Sequence, residues 1–171
     1  MRATGADRAG GLKLGPGGTG RRIGLVITAA LMAGAASAAA LSGADAAKDR
    51  QTHMKELGKA MKTIVDQLHS GSPDVGQIKL AAATIDKDAK ALPSWFPDGS
   101  GPSTGVKMKA LPVVWTDKTD FAAKAHTFQI AAAKFDAAAQ TGQASAYMPA
   151  LKEVGGACKA CHEKFRTKDE D

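Results

Sequence analysis

The chain has 171 residues, a length that suits one domain rather than two. It is rich in alanine and only 5% aromatic, which favours helices packed through small side chains over a β-rich core. The formal charge is +6, yet no basic stripe interleaved with aromatics is present, so the charge gives no support for nucleic acid binding.

Part of that charge belongs to a segment with its own character. Residues 1–46 carry five basic side chains (Arg2, Arg8, Lys13, Arg21, Arg22) against two acidic ones (Asp7, Asp45), so half of the excess lies there. Arg21 and Arg22 precede an uncharged apolar run, Ile23 to Ala40. Two small-residue patterns follow, Ala36-Ser37-Ala38 and Ala44-Asp45-Ala46. This is the layout of a cleaved export signal, with cleavage between about residues 37 and 47. A permanent membrane anchor is the rival, because the run is just long enough to span. The run ends in Ala and Ser rather than in Leu and aromatics, which favours cleavage. The arginine pair also admits twin-arginine export. The domains expected are therefore a signal peptide and leader over 1–46 and a folded part over 47–171, exported to the periplasm of a bacterium and free of membrane contact once the signal is removed.

Four helices follow in chain order. The first is predicted from about Ala47 to His69, with Met54, Leu57, Met61, Ile64 and Leu68 at steps of three and four. Ser70 to Pro73 breaks it, and Asp74 caps the second helix. There Ile78, Ala82, Ile85, Ala89 and Leu92 keep the same beat, and Pro93 ends it. Residues 93–116 are rich in Gly, Pro and Ser and read as a crossing loop, pinned by Trp95, Phe96 and Trp115. Thr116 or Asp117 caps a third helix in which Phe121, Ala125, Phe128, Ala132, Phe135 and Ala139 alternate large and small. A turn around Gly142 leads to a fourth helix, expected to be capped by Ser145, with Pro149 tolerated in its first turn. Its stripe is Leu151, Val154, Cys158, Cys161 with His162, and Phe165. No stretch alternates with period two for long enough to predict a sheet. The fold expected is all-α: an antiparallel up-down-up-down four-helix bundle.

The only two cysteines fall in Cys158-Lys159-Ala160-Cys161-His162. C-x-x-C-H is a haem c attachment signature. Cysteines at i and i+3 lie on one side of a helix a turn apart, matching the two vinyl groups to which the thiols add. His162 follows directly and supplies an imidazole to the iron. A thioredoxin-like reading wants strands that the chain does not offer. A structural zinc needs about four ligands, and His53, His69 and His126 are scattered. A plain disulfide would leave His162 a coincidence. One covalent haem c is the cofactor expected, and a haem-free bundle is the fallback.

With this motif in place, the folded part resembles the class II c-type cytochromes, the cytochrome c′ group, in which the haem motif lies on the last helix of a four-helix bundle. Asp49 to Lys62 is similar to the first helix of that family. "LPSWFPDGSG" and "ALPVVW" resemble the loop before its third helix, and "VGGACKACHEKFR" resembles its haem helix. The resemblance implies that Arg50 pairs with a haem propionate, where a guanidinium fork meets a carboxylate at the wet edge of the pocket. It implies too that Arg166, four residues after His162, shapes the proximal pocket. Homodimers are common in the group.

In such a bundle the first and fourth helices are antiparallel neighbours. Counted from the helix ends, Met54 and His162 stand at about the same height, while Met61 is too deep and Met148 is at the wrong end. Met54 is then the distal residue, either a second axial ligand of iron or a side chain packed over it; as a plain core methionine it would only fill its heptad position. Electron transfer with redox partner proteins, through iron held by His162 and Met54, is the first function expected. Binding of nitric oxide or another small gas at a five-coordinate iron is the alternative. Enzymatic turnover is not expected: Met54 and its apolar neighbours offer no distal acid–base pair, and His53 points about 100° away from Met54 on the helix. Lys159 and Lys164 are candidates for a docking surface.

Overall fold

The computed structural model describes residues 42–168. The predicted signal segment, apart from its last five residues, lies outside the described residues. Four long helices build the fold: α1 (Gly43–His69), α2 (Val75–Ala91), α3 (Lys118–Gln140) and α4 (Ala144–Phe165). The chain runs up, down, up and down through them. One-turn helices at Leu92–Trp95, Pro102–Thr104 and Val113–Thr116 punctuate the crossing loop. No strand occurs among the described residues, only an isolated bridge between Ala110 and Arg166.

α1 begins four residues earlier than the apolar pattern indicates. The Ser42 hydroxyl oxygen accepts from the amide of Asp45 at 3.2 Å, satisfying a donor of the first turn. Gly43 lies so close to Gly99 that a Cβ there would fall 2.1 Å from the Gly99 carbonyl oxygen. Ala46 and Ala47 are buried. Residues 43–46 therefore form the first turn of α1.

Asp74 caps α2 through the Gln77 amide, and Asp117 caps α3 through the Asp120 amide. α4 differs from expectation. It starts at Ala144 with Gln143 before it and no side-chain cap, so Ser145 is already helical. Pro149 then lies beyond the first turn, where its missing N–H leaves the Ser145 carbonyl without the usual i−4 bond. Gly142, at φ 73°, takes the left-handed conformation that the tight α3–α4 turn demands.

The stripes of α2 and α3 are buried as the periodicity predicts. Ile78, Ala82, Ile85, Phe135 and Ala139 are wholly inaccessible to solvent. α2 packs on α1 and α3, and α3 packs on α4. α1 and α4 do not complete the ring: no Cα of one lies within 8 Å of a Cα of the other. Helices in contact sit with axes about 8–10 Å apart, so this side of the bundle is a seam. Both helices that flank it carry half-buried apolar residues, Met54 and Met61 on α1 and Leu151, Cys158 and Cys161 on α4.

One core feature is unfavourable. Asp88 on α2 is 3% exposed, and its Oδ2 has no hydrogen-bond partner. Burial raises its pKa, offset only in part by Lys87, whose Nζ is 3.8 Å from Oδ1. A carboxyl whose folded pKa is raised costs stability above that pKa, and the cost fades as pH falls through it towards the ordinary value of 3.8. Asp88→Asn is therefore expected to raise the melting temperature at pH 7 by about 4 °C, corresponding to roughly 1 kcal/mol. The gain should shrink in melts near pH 4. A variant that melts no higher at pH 7 would rule out a charge penalty.

Candidate haem site

The loop end of the bundle gathers the start of α1, the end of α2, the start of α3 and the end of α4. It therefore brings Arg50 and Met54 to the same end as Cys158, Cys161 and His162. Helix ends are a poor ruler for their heights. Met54 is about three turns into α1, since α1 starts early, while His162 is within one turn of the end of α4. The loop sets the heights instead. It is bonded to α1 at Arg50 and Gln51 and to α4 at Phe165.

Cys158 and Cys161 are half-buried free thiols one turn apart on α4, packed against the core. Burial, with the neighbouring Cys161 adding to it, pushes the Cys158 thiol up to about 11, and burial raises Cys161 as well. In the folded chain both are thiols at neutral pH. His162 is solvent-exposed on the next position. Two unpaired thiols at helical spacing, an adjacent imidazole and a half-buried apolar seam are a donor set that fits a covalent haem.

The end of α4 is held firmly. Lys164 Nζ bonds Asp117 Oδ2 at 2.7 Å and Asp120 Oδ2 at 2.8 Å, tying it to the start of α3. These bonds, to Asp117 first, raise the Lys164 pKa, and the Lys164 bond holds Asp117 below the usual carboxylate range. Lys164 is thus a tether rather than a free docking charge, and Lys159 lies 3.8 Å from Glu163. Phe165 meets Phe121 edge-on at 5.3 Å, and Phe121 meets Phe96 at 4.8 Å.

Met54 is half-buried against the hydrophobic core. His53 is turned elsewhere, stacked on Trp95 with centroids 4.7 Å apart and flanked by Asp49 at 3.3 Å and Glu56 at 3.5 Å. Two arginines have surroundings that residue identity alone does not show. Arg50 is not at a wet edge: it is 3% exposed. Nη1 donates to Trp95 O and Ser100 Oγ, and Nη2 donates to Ser100 O, all at 3.0 Å. Its guanidinium lies 4.7 Å from the centre of the Phe96 ring and 5.2 Å from that of Trp115. The apolar setting rather than a carboxylate governs its place. Arg166 caps α4 one turn after His162. α4 ends at Phe165, and Arg166 turns extended (φ −125°, ψ 140°), its N–H donating to His162 O. Met108, absent from the sequence-based site, lies with Sδ 3.6 Å from Arg50 Nη2; its signal was the alternation Lys107-Met108-Lys109-Ala110 inside a Gly/Pro-rich loop.

An all-helical bundle with C-x-x-C-H at the end of its last helix, beside a seam, defines a c-type haem protein. Comparison with known proteins agrees. The family model for cytochrome C′ matches residues 45–166. Cytochrome c-556 from Agrobacterium fabrum is 35% identical over 143 residues, 83% of this chain and 94% of the relative. A cytochrome c′ with ligand-controlled dimer dissociation superposes with TM-score 0.69 at 30% identity, over 76% of this chain and 100% of that one. A nitric oxide complex of a point mutant of cytochrome c prime from Alcaligenes xylosoxidans gives TM-score 0.67 at 27% identity, over 75% and 99%. The chain belongs to the cytochrome c′ family, a class II c-type cytochrome, and carries one covalently bound haem c.

Proposed function

We propose that the protein binds nitric oxide or another small gas at a five-coordinate haem iron, with Cys158 and Cys161 as the thioether residues, His162 as the proximal ligand and Met54 bounding the distal side without ligating. The observation that carries this reading is the packing of Met54 against the hydrophobic core, which gives its thioether apolar company. It is supported by a structural neighbour prepared as a nitric oxide complex. Bound haem would supply an iron able to take an axial diatomic and to cycle between ferrous and ferric. This chain supplies the imidazole, an apolar distal wall and no acid–base pair. His53, next to Met54 in sequence, is committed to Trp95, Asp49 and Glu56. The protein is accordingly read as a binding and carrier protein rather than an enzyme.

Electron transfer through a six-coordinate iron held by His162 and Met54, placed first from the sequence, is the less supported of the two readings. One-electron exchange with redox partners remains compatible with a five-coordinate haem. Export to the periplasm belongs to the same proposal. Among the described residues no helix is long and apolar enough to cross a membrane. Cleavage after Ala38 rather than Ala46 would leave Ser42 and Gly43 on the mature chain.

The test is the optical and electron paramagnetic resonance spectrum of the holoprotein and of Met54→Ala. High-spin ferric and ferrous spectra that the substitution leaves in place, with uptake of nitric oxide by the ferrous form, are expected. A low-spin spectrum that becomes high-spin in the variant would replace gas binding by the six-coordinate reading.

A further inference from the structure

Residues Lys107–Leu111 cross from α1 to the end of α4. On the α1 side Gln51 Nε2 donates to Lys107 O at 2.8 Å, and Met108 Sδ meets Arg50 Nη2. On the α4 side the amide of Leu111 donates to Phe165 O at 2.9 Å, and that of Thr167 donates to Lys109 O at 2.8 Å. Ala110 and Arg166 pair between them as an isolated antiparallel bridge. Exposure alternates along the segment, as in a strand: Lys107 and Lys109 are exposed while Met108 and Ala110 are half-buried.

This segment joins the two helices whose backbones do not approach within 8 Å, Cα to Cα. Where helices pack, interdigitating side chains fix their separation. α1 and α4 have no Cα pair within 8 Å, so close backbone packing does not fix their spacing at the haem end. The other route from Arg50 to α4, the rings of Phe96, Phe121 and Phe165, passes through α3. The segment spans the seam directly and is anchored on both sides close to the residues that matter: Arg50 is one turn from Met54, and Phe165 is less than one turn from His162.

We infer that Lys107–Leu111 is a strap that sets the width of the α1–α4 cleft and so the passage of a diatomic ligand into it. Gln51 and Met108 act as positioning residues, since they work through the strap and not on the ligand. The part concerning ligand passage rests on the gas-binding proposal; the part concerning cleft width does not. The strap is held at four points, and its α1 anchors are side chains that can be removed one by one.

The experiment uses the holoprotein, in which thioether formation consumes the native thiols, so that nitroxide labels attach only at Lys55→Cys on α1 and Lys152→Cys on α4. Gln51→Ala with Met108→Ala frees the strap from α1, and Thr52→Ala serves as the control. The label-to-label distance is expected to shift by about 2 Å or to broaden, the size of an ordinary helix displacement. Amide exchange at Leu111 and Thr167 should quicken. Carbon monoxide association to the ferrous protein after flash photolysis should change about fivefold, the effect of roughly 1 kcal/mol on a barrier. An unchanged distance overturns the strap, whether the amides loosen or not. A changed distance with an unchanged association rate leaves a spacer and overturns the control of ligand passage. Failure of the gas-binding reading looks different: the wild-type ferrous protein would take up neither carbon monoxide nor nitric oxide, and the distance measurement would still decide the strap's role as spacer.

Discussion

Replacement of both Cys158 and Cys161 by alanine is expected to yield a protein whose pigment is removed completely by acid–acetone, while the wild type keeps its colour. The argument is chemical. Each thiol adds across one vinyl group, and these are the only two cysteines in the chain. Without them His162 is the one remaining strong tie, and it lies on the exposed side of α4, where acid protonates an imidazole and releases it. The single variants separate the two bonds. Cys158→Ala or Cys161→Ala should each retain coloured protein after extraction, with one unsaturated vinyl left and the reduced absorption band moved to longer wavelength. The fold should survive in all three, because Ser-sized side chains on a helix lose little packing on change to alanine. The thiols are half-buried rather than central to the core. Loss of affinity in the double variant should be a matter of orders of magnitude, since a covalent attachment is exchanged for a single coordinate bond. If the double alanine variant keeps its pigment through extraction, attachment through these residues is wrong. If the wild type loses it, the haem is not covalent at all.

How much of this could be read from the chain differs sharply between elements. α2 and α3 were legible because each is covered along one whole face, so large and small residues alternate at every contact and periodicity equals burial. α1 was less so. Leu57 and Ile64 are in the core, yet Met54, Met61 and Leu68 on the same stripe are only half-buried, because α1 packs on α2 and faces α4 across a seam. A heptad pattern marks apolar positions but does not tell a core from a cleft. The haem motif was legible because its chemistry lies within five residues. The Arg50 cluster was not, because its partners stand 45, 50 and 58 residues away and half of them are backbone carbonyls, which leave no trace in residue identity. The start of α4 misled for a related reason: Ser145 and Pro149 carry N-terminal signals, but the turn at Gly142 starts the helix one residue ahead of the serine.

Arg50 carries the second large effect. It is a guanidinium almost wholly removed from water, and among the described residues it forms no ion pair with a carboxylate. Burial accordingly lowers its pKa from the ordinary value of 12.5. A buried unpaired charge survives only if its donors are used, and here they are used on the loop: three bonds at 3.0 Å to Trp95 and Ser100, with Phe96 and Trp115 offering their rings. The residue therefore fastens the 95–101 turn to α1, close to Gly43 packing on Gly99. Removing it as Arg50→Ala strands the Trp95 and Ser100 carbonyl oxygens in the interior, while the Ser100 hydroxyl keeps its bond to Pro97 O, and leaves a cavity between two aromatic rings. The expected loss is about 3–4 kcal/mol, which for a domain of this size lowers the melting temperature by roughly 10–15 °C. Arg50→Lys keeps the charge but presents one ammonium in place of a planar fork. It cannot serve two residues and lie flat between rings together, so about half of the loss should remain. Thermal melts of the holoprotein give the magnitudes, and amide exchange gives the location: Ser100, whose amide donates to Pro97 O at 3.2 Å, should lose protection first. A role confined to the protein surface predicts neither, and an alanine variant that melts within 2 °C of the wild type, well under 1 kcal/mol, would remove Arg50 from the core of this argument and return it to solvent.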